Sequence, residues 1–168
     1  LYVSEYELST YMEEMINAFR AYADVKRVSL TYESNFRYMN VWLDKDKMDS
    51  ILKNLISNAL KYTPEDGSVH IFAAETEDNW SVEVKDTGIG IPASEQKKLF
   101  RMHFRGSNAI NSKVTGSGIG LLLVWKLVRL HKGKINFNST EGKGSCIKVI
   151  FPKKEKYYRK AVHSPKPG

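Results

Sequence analysis

The sequence has a single cysteine, Cys146, so no disulfide bond can form within the chain. It also lacks any apolar run near the roughly 18–20 residues that a membrane-spanning helix needs. Its four histidines, at positions 70, 103, 131 and 163, are scattered and do not match the ligand spacing of a zinc site. These absences exclude a disulfide-stabilised scaffold, a zinc-stabilised fold and a membrane span as interpretations of this sequence.

Acidic residues are scarce only at the C-terminal end. The sequence has 26 lysines and arginines against 19 aspartates and glutamates, a net charge of +7. Residues 153–168 hold six of those basic residues and one glutamate, so the body of the chain is nearly neutral. A basic patch on the body would indicate nucleic-acid binding. The observed distribution argues against that partner and indicates a basic linker or tail, with contact to an acidic partner as the alternative.

The body of the chain has the length and apolar content of one globular domain, with 42% hydrophobic residues overall. Helical periodicity predicts four helices, the first of which is opened by a capping box from Ser4 to Glu7. They cover residues 4–23, 46–62, 94–100 and 119–131. Alternating patterns predict six strands, at 28–32, 39–43, 68–75, 80–86, 134–139 and 145–151.

The short turns between neighbouring strands favour antiparallel pairing, with the helices collected on one face. We therefore expect an α+β two-layer sandwich, in which a mixed, mostly antiparallel sheet of five to six strands is covered on one face by three or four helices. The polar, glycine-punctuated segment 101–117 predicts a long loop, and long loops in compact domains are often functional.

Three segments carry residues suited to phosphate or metal chemistry. Glycine clusters end a strand at 86–90 and open a helix at 116–120, where free backbone N–H groups favour an anion such as phosphate. Asn54, Asn58 and Lys61 share one face of a largely apolar helix, and an amide oxygen suits Mg²⁺. Taken singly, each glycine cluster has tight turns as its alternative interpretation, and the two amides have a solvent-facing position as theirs. The clusters match neither the Rossmann fingerprint nor the Walker loop.

In their order along the chain, five blocks resemble the motifs of two-component sensor histidine kinases. The blocks are an asparagine box at 54–64, a first glycine box at 86–92, a phenylalanine box at 99–106, a second glycine box at 116–121 and a closing glycine turn at 141–145. The resemblance implies the Bergerat (GHKL) fold shared with gyrase, mismatch-repair and heat-shock chaperone ATPases, with a flexible ATP lid at 105–115. It assigns residues 1–152 to the ATP-binding catalytic domain and 153–168 to a linker.

The resemblance also implies catalytic roles at four matching positions, with ATP and Mg²⁺ as cofactors. Asn58 would bind Mg²⁺ through its side-chain oxygen, and Asn54 would support that site. Lys61 would neutralise phosphate charge, and Arg105 would reach toward the γ-phosphate. Transfer would then depend on positioning and on the metal ion spreading charge.

Further positions are implied to contact the nucleotide. Asp86 would accept a hydrogen bond from the adenine amino group, and Tyr62 would pack near the adenine and the ribose. Glycines of the second glycine box would cradle the phosphates. The remaining implied contacts are Gly88, Gly90, Ile91, Phe104, Gly116, Ser117, Gly118, Ile119, Gly120, Leu121 and Cys146.

Two positions modify this expectation. Hydrolysing relatives have a glutamate at position 54 as the general base for water, whereas Asn54 cannot take a proton, so we expect slow ATP hydrolysis. Many relatives have a small hydroxyl residue after the serine of the closing turn, where this chain has Cys146, a weak donor. We therefore expect a modest loss of adenine affinity.

No histidine lies in the setting of a phosphoacceptor helix, which family members carry just upstream. The resemblance therefore implies that the chain donates the γ-phosphate of ATP to a histidine on a separate dimerisation domain, which in turn serves a response-regulator receiver domain. Because the chain begins at Leu1, we expect a cytoplasmic piece of a longer membrane-bound sensor, without membrane contact of its own. The alternatives are a nucleotide-binding regulatory module without transfer, or a related serine kinase resembling anti-sigma factors.

Overall fold

The computed structural model describes residues 1–97 and 117–153, with the backbone alone for 117–119. Seven strands are present in these ranges: β1 Ser4–Glu7, β2 Ser29–Ser34, β3 Asn40–Leu43, β4 Ser68–Glu75, β5 Asn79–Asp86, β6 Lys134–Thr140 and β7 Gly144–Pro152. The helices are α1 Leu8–Lys26, α2 Lys45–Tyr62, a short helical segment α3 at 93–97, and α4 Ser117–Leu130. No helix in the described part of the chain is both long and apolar enough to cross a membrane.

Five of the strands form one mixed sheet in the order β2-β4-β5-β7-β6. Its β4–β5, β5–β7 and β6–β7 pairs are antiparallel, and the first and last of these are hairpins. The β2–β4 pair is parallel, because the chain crosses over through β3 and α2 before β4. The predicted mixed, mostly antiparallel sheet is confirmed, although β3 lies outside it and pairs with β1.

The helices cover one face of this sheet, and the core lies between the two layers. Inward positions alternate along the strands, as Val69, Ile71 and Ala73 do in β4, and all three are fully buried. Trp80 of β5 packs on Phe151 of β7 with ring centroids 4.7 Å apart. Each large apolar side chain buried here contributes about 1.5–3 kcal/mol to stability. The predicted two-layer α+β sandwich is therefore confirmed.

The start of the chain differs from the prediction. The segment Ser4–Glu7 is a strand, because it pairs with β3 in the register Ser4↔Leu43 to Glu7↔Asn40. The capping-box assignment is wrong: Glu7 itself is the N-cap, and its carboxylate accepts a 2.6 Å hydrogen bond from the Thr10 amide. Long-range pairing thus overrides a local pattern that suits a helix start.

Helix α2 carries the asparagine box and is held at both ends. At its start, Asp44 caps the Lys47 amide at 3.2 Å and accepts a 2.8 Å hydrogen bond from the backbone N–H of Tyr2. The Asp44 amide donates to Nε2 of His131, a buried residue at the end of α4, at 3.2 Å. At the other end, Lys26 of α1 donates to the terminal carbonyls of α2. These contacts fix the position of α2 relative to α1 and α4.

Candidate functional site

A cavity of about 320 Å³ opens between α2, the first turn of α4 and the helix-facing side of β5, β6 and β7. Its volume falls within the range of small-molecule sites. The apolar part of its lining consists of Leu55, Ala59, Val84, Leu121, Phe137 and Ile147, with Ile89, Ile91 and Pro92 from the first glycine box. The polar residues along it are Asn58, Tyr62, Asp86, Glu95, Glu141 and Ser145. A mostly apolar pocket with a few convergent polar groups suits a flat heterocycle with a polar edge.

Asp86, the last residue of β5, is the polar group with the most constrained carboxylate in this pocket. Its Oδ1 accepts hydrogen bonds from the amides of Gly88 at 2.9 Å and Ser145 at 3.1 Å. Within residues 1–97 and 117–153, no protein group donates to Oδ2. Burial raises the pKa of Asp86, while the two amide hydrogen bonds oppose that rise. A half-buried carboxylate with one oxygen unpaired calls for a donor from a ligand.

The first glycine box after β5 is bonded on two sides. The Ile89 amide donates to the carbonyl of Tyr62 at the end of α2, at 3.2 Å, and the Gly142 amide donates to the Ile89 carbonyl at 2.7 Å. Gly90 has φ +67°, and a Cβ there would lie 2.1 Å from the carbonyl oxygen of Thr140. This glycine therefore lets the loop pack on the β6–β7 hairpin, in addition to lining the cavity.

Of the asparagine-box residues predicted to contact the nucleotide or the metal ion, two reach the cavity. Asn58 and Tyr62 line it. Asn54 lies behind them, where its Nδ2 donates to the Ser50 carbonyl at 2.7 Å. Lys61 is exposed at the end of α2, with Nζ 5.3 Å from the centroid of the Tyr62 ring. The predicted residues thus share one end of α2, but Asn54 and Lys61 do not belong to the cavity lining.

The second glycine box opens a helix, as predicted. The α4 backbone begins at Ser117, includes Gly118 and brings Leu121 to the cavity. A Cβ on Gly120 would lie 2.9 Å from Oδ1 of Asn54, so this glycine permits close approach of α4 to α2. The helix start therefore lies beside the asparagine box, and the N-terminus of a helix favours an anion. Phe104, Arg105 and Gly116 lie outside the described residues, as do the side chains of Ser117 and Ile119.

A divalent cation would find one suitable side-chain ligand on α2. The amide of Asn58 lines the cavity and makes no hydrogen bond with the described residues. These same residues contain no group of three or more His, Cys, Asp or Glu that could hold a metal. Because Mg²⁺ keeps several waters and relies on phosphate oxygens, one protein amide is a chemically suitable donor set for it.

The structure does not bring Cys146 to the cavity. Neighbouring strand residues face opposite sides of a sheet, and Cys146 lies on the side away from the helices. Its Sγ donates to Oε1 of Glu83 at 2.9 Å, and burial with this carboxylate raises the pKa of the thiol to about 12. The expected weakening of adenine binding by Cys146 is therefore not supported. The hydroxyl residue beside Asp86 is Ser145.

Sequence reasoning missed several residues of the site. Glu95 and Glu141 line the cavity, and Ser139 and Gln96 bond its glycine-box loop. The apolar lining from β5–β7 was also missed, although alternation back from Asp86 places Val84 on the same face. To place Phe137 of β6 beside this lining, the register between β6 and β7 was required, which the sequence does not provide.

Comparison with known proteins agrees with this architecture. The model of a family described as histidine kinase-, DNA gyrase B-, and HSP90-like ATPase matches residues 43–155. The sensor histidine kinase WalK of Bacillus subtilis is 42% identical over 121 residues, which is 71% of this chain and 20% of that protein. The circadian input-output histidine kinase CikA of Synechococcus elongatus is 35% identical over 154 residues, 90% of this chain and 20% of that protein.

Solved structures share the fold at lower identity. The nucleotide-free catalytic domain of histidine kinase ThkA has a TM-score of 0.78 at 23% identity, covering 91% of this chain and 99% of that one. The mycobacterial sensor histidine kinase MprB has a TM-score of 0.70 at 20% identity, covering 90% of this chain and 97% of that one. The chain spans about a fifth of the length of WalK and CikA. On the family match and the geometry together, the chain belongs to the histidine kinase-, DNA gyrase B- and HSP90-like ATPases, a family of ATP-binding domains.

Proposed function

We propose that the chain binds ATP with its adenine against Asp86 and its phosphates at the start of α4. The observation that carries this proposal is that Oδ2 of Asp86 receives no hydrogen bond from the described residues, while Oδ1 is held by the amides of Gly88 and Ser145. The exocyclic amine of adenine supplies the missing donor, whereas the carbonyl of guanine would place an acceptor against a carboxylate. The apolar walls of the cavity suit a purine ring.

At the phosphate end, Asn58 is the residue that we propose to hold Mg²⁺. Its amide lies beside the start of α4 and has no hydrogen-bond partner among residues 1–97 and 117–153, which supports this assignment. When bound, the ion would supply charge neutralisation to the phosphate oxygens. Lys61, Arg105, Phe104 and the residues of 116–121 complete the proposed nucleotide contacts, as the motif resemblance implies.

The activity that we propose for the intact protein is transfer of the γ-phosphate to a histidine on a separate dimerisation domain. The resemblance of the chain to WalK and CikA, both named as histidine kinases, supports this. At position 54, the side-chain Nδ2 donates to the Ser50 carbonyl of its own helix. This side chain is an amide, which is not a base and cannot activate water by taking a proton. This favours retention of the γ-phosphate for an acceptor over hydrolysis.

A response-regulator receiver domain is the proposed downstream partner. Among the structural neighbours, histidine kinase ThkA is described in complex with the response regulator protein TrrA, at a TM-score of 0.72. We further propose that residues 1–152 form the catalytic domain, that 153–168 form a basic linker, and that the domain acts on the cytoplasmic side of a membrane-bound sensor.

The proposal is tested by titrating the chain with ATP in a calorimeter, with and without Mg²⁺. The informative variant is Asp86→Asn, which replaces an acceptor with a donor at the unpaired oxygen. We expect its ATP affinity to fall about tenfold or more, because hydrogen bonds to charged groups contribute about 1.5–3 kcal/mol. The matched control is Asp66→Asn, the same chemical change on an exposed turn residue. Equal ATP affinity in the two variants would refute the adenine assignment.

Transfer is tested separately, by adding a dimerisation domain from a close relative together with Mg-ATP. Acid-labile phosphate on that domain is the expected product. ATP binding without any transfer would favour a regulatory module, and acid-stable phosphate on a protein partner would indicate a serine kinase.

A further inference from the structure

We propose that Ser139 and Gln96 are positioning residues that set the base selectivity of the cavity, an inference that rests on the proposed ATP binding. Neither residue belongs to the cavity lining. They act through Ile91, Ser145 and Asp86, all of which do. The evidence is a connected series of hydrogen bonds that reaches these lining residues.

The backbone of Ile91, in the glycine-box loop that lines the cavity, is bonded through both of its polar groups. Its N–H donates to Oγ of Ser139 at 2.8 Å, and its carbonyl accepts from Nε2 of Gln96 at 2.6 Å. The same Nε2 also donates to the Ser139 carbonyl at 2.9 Å. Both backbone polar groups of one cavity-lining residue, Ile91, are therefore satisfied by side chains rather than by sheet or helix bonds. Removal of either side chain leaves a half-buried backbone group unpaired.

Ser139 also connects the Ile91 backbone to Asp86, the residue proposed to recognise the base. Oγ of Ser139 lies 2.7 Å from Oγ of Ser145, the residue whose amide donates to Asp86 at 3.1 Å. The bonds thus run from Gln96 through Ser139 and Ser145 to the Asp86 carboxylate. A shift of the loop at Ile91 would therefore turn the carboxylate of Asp86, whose other oxygen, Oδ2, would accept the adenine amine.

The acceptor of the Ser139 hydroxyl proton determines which group the Ser145 hydroxyl can bond. Ser139 Oγ accepts from Ile91 and has one proton, which it donates either to Ser145 Oγ at 2.7 Å or to the Gly144 carbonyl at 3.2 Å. When it donates to Ser145, the proton of Ser145 is free for the cavity. The site then offers one donor beside one acceptor, which complements the N1 and amino edge of adenine. Guanine presents the opposite order on that edge.

The test uses Ser139→Ala and Gln96→Leu in the whole chain, with Ser139→Thr as a variant that keeps the hydroxyl. Matched controls are the exposed sequence neighbours Asn138→Ala and Lys97→Ala. Affinities for ATP and for GTP are measured by displacement of a fluorescent adenine nucleotide, and melting temperatures are recorded alongside. Hydrogen exchange of the Ile91 amide in the nucleotide-free protein gives a readout that does not depend on binding.

In both informative variants we expect ATP affinity to fall about five- to tenfold while GTP affinity changes by less than about twofold, so the selectivity ratio falls. Ser139→Ala should also speed hydrogen exchange of the Ile91 amide. Ser139→Thr should keep the wild-type selectivity for ATP over GTP. An equal loss for both nucleotides, or a lower melting temperature with an unchanged ratio, would show a merely structural role and overturn the inference. Absence of ATP binding by folded wild-type protein would instead overturn the proposed function itself, and the inference with it.

Discussion

Substitution of Lys26 by methionine tests how the nucleotide-site helix is anchored. The last carbonyls of any α-helix lack partners within the helix. At the end of α2, Nζ of Lys26 lies 2.5 Å from the Leu60 carbonyl, 2.9 Å from that of Lys61 and 3.4 Å from that of Thr63. The C-cap Thr63 has an extended backbone, so no left-handed cap residue takes over this function. A lysine from α1 therefore satisfies these carbonyls.

The size of the effect follows from these contacts. Hydrogen bonds to a charged group contribute about 1.5–3 kcal/mol each, and a cation at a helix C-terminus contributes about 0.3–1 kcal/mol. Because Lys26 is only half buried, solvent screening reduces the sum, and we expect Lys26→Met to lower the free energy of unfolding by about 1.5–2.5 kcal/mol. For a domain of this size, that corresponds to a fall of about 4–8 °C in melting temperature.

The assay is urea unfolding followed by circular dichroism, with calorimetric melting as a second measurement. Lys53→Met is the matched control, because Lys53 is an exposed lysine of α2. It should stay within about 0.5 kcal/mol of wild type, as surface substitutions usually do. The Lys26→Arg variant keeps the charge and should recover part of the loss. If Lys26→Met is as stable as Lys53→Met, the anchoring role of Lys26 is refuted.

His131 and Cys146 give three further predictions. Burial lowers the pKa of His131, so its contribution to stability is complete above the ordinary value of 6.5 and is lost as the pH falls through the lower, folded value. Unfolding at pH 7.5 and 5.5 should show this loss, and His131→Gln should flatten it; an unchanged slope would contradict the assignment. With a pKa of about 12, Cys146 should react with iodoacetamide at pH 8 roughly a thousandfold more slowly in the folded protein than in denaturant. Cys146→Ser should leave ATP affinity within about twofold, and a larger loss would return Cys146 to the site.

Local patterns predicted several elements closely. The predicted helix 46–62 is observed as Lys45–Tyr62, and the predicted strands 68–75 and 80–86 are observed as Ser68–Glu75 and Asn79–Asp86. In each case, apolar spacing and flanking turn residues are both present within the segment itself. Such elements need no distant partner to define them.

One error occurs where a distant contact decides the outcome. Residues 4–7 suit a helix cap locally, but pairing with β3 makes them a strand.

The error at Cys146 was avoidable, because in the closing turn the sequence could have shown which residue faces Asp86. Lys148 lies on the same face of β7 as Cys146. Val149 and Phe151 are fully buried and lie on the same face as Ser145. Alternation from the charged residue would have placed Cys146 outward and Ser145 inward.

The glycine boxes indicate from the sequence where the candidate site lies, but not which groups their glycines contact. Their glycines were interpreted as points of close approach to phosphate. In the structure, Gly90 approaches the Thr140 carbonyl and Gly120 approaches Asn54. The absence of a side chain at these positions brings a loop onto a hairpin and one helix onto another, and the cavity is the space that these contacts leave. The same residues can thus mark a nucleotide site because they shape its walls, whether or not each one touches the ligand.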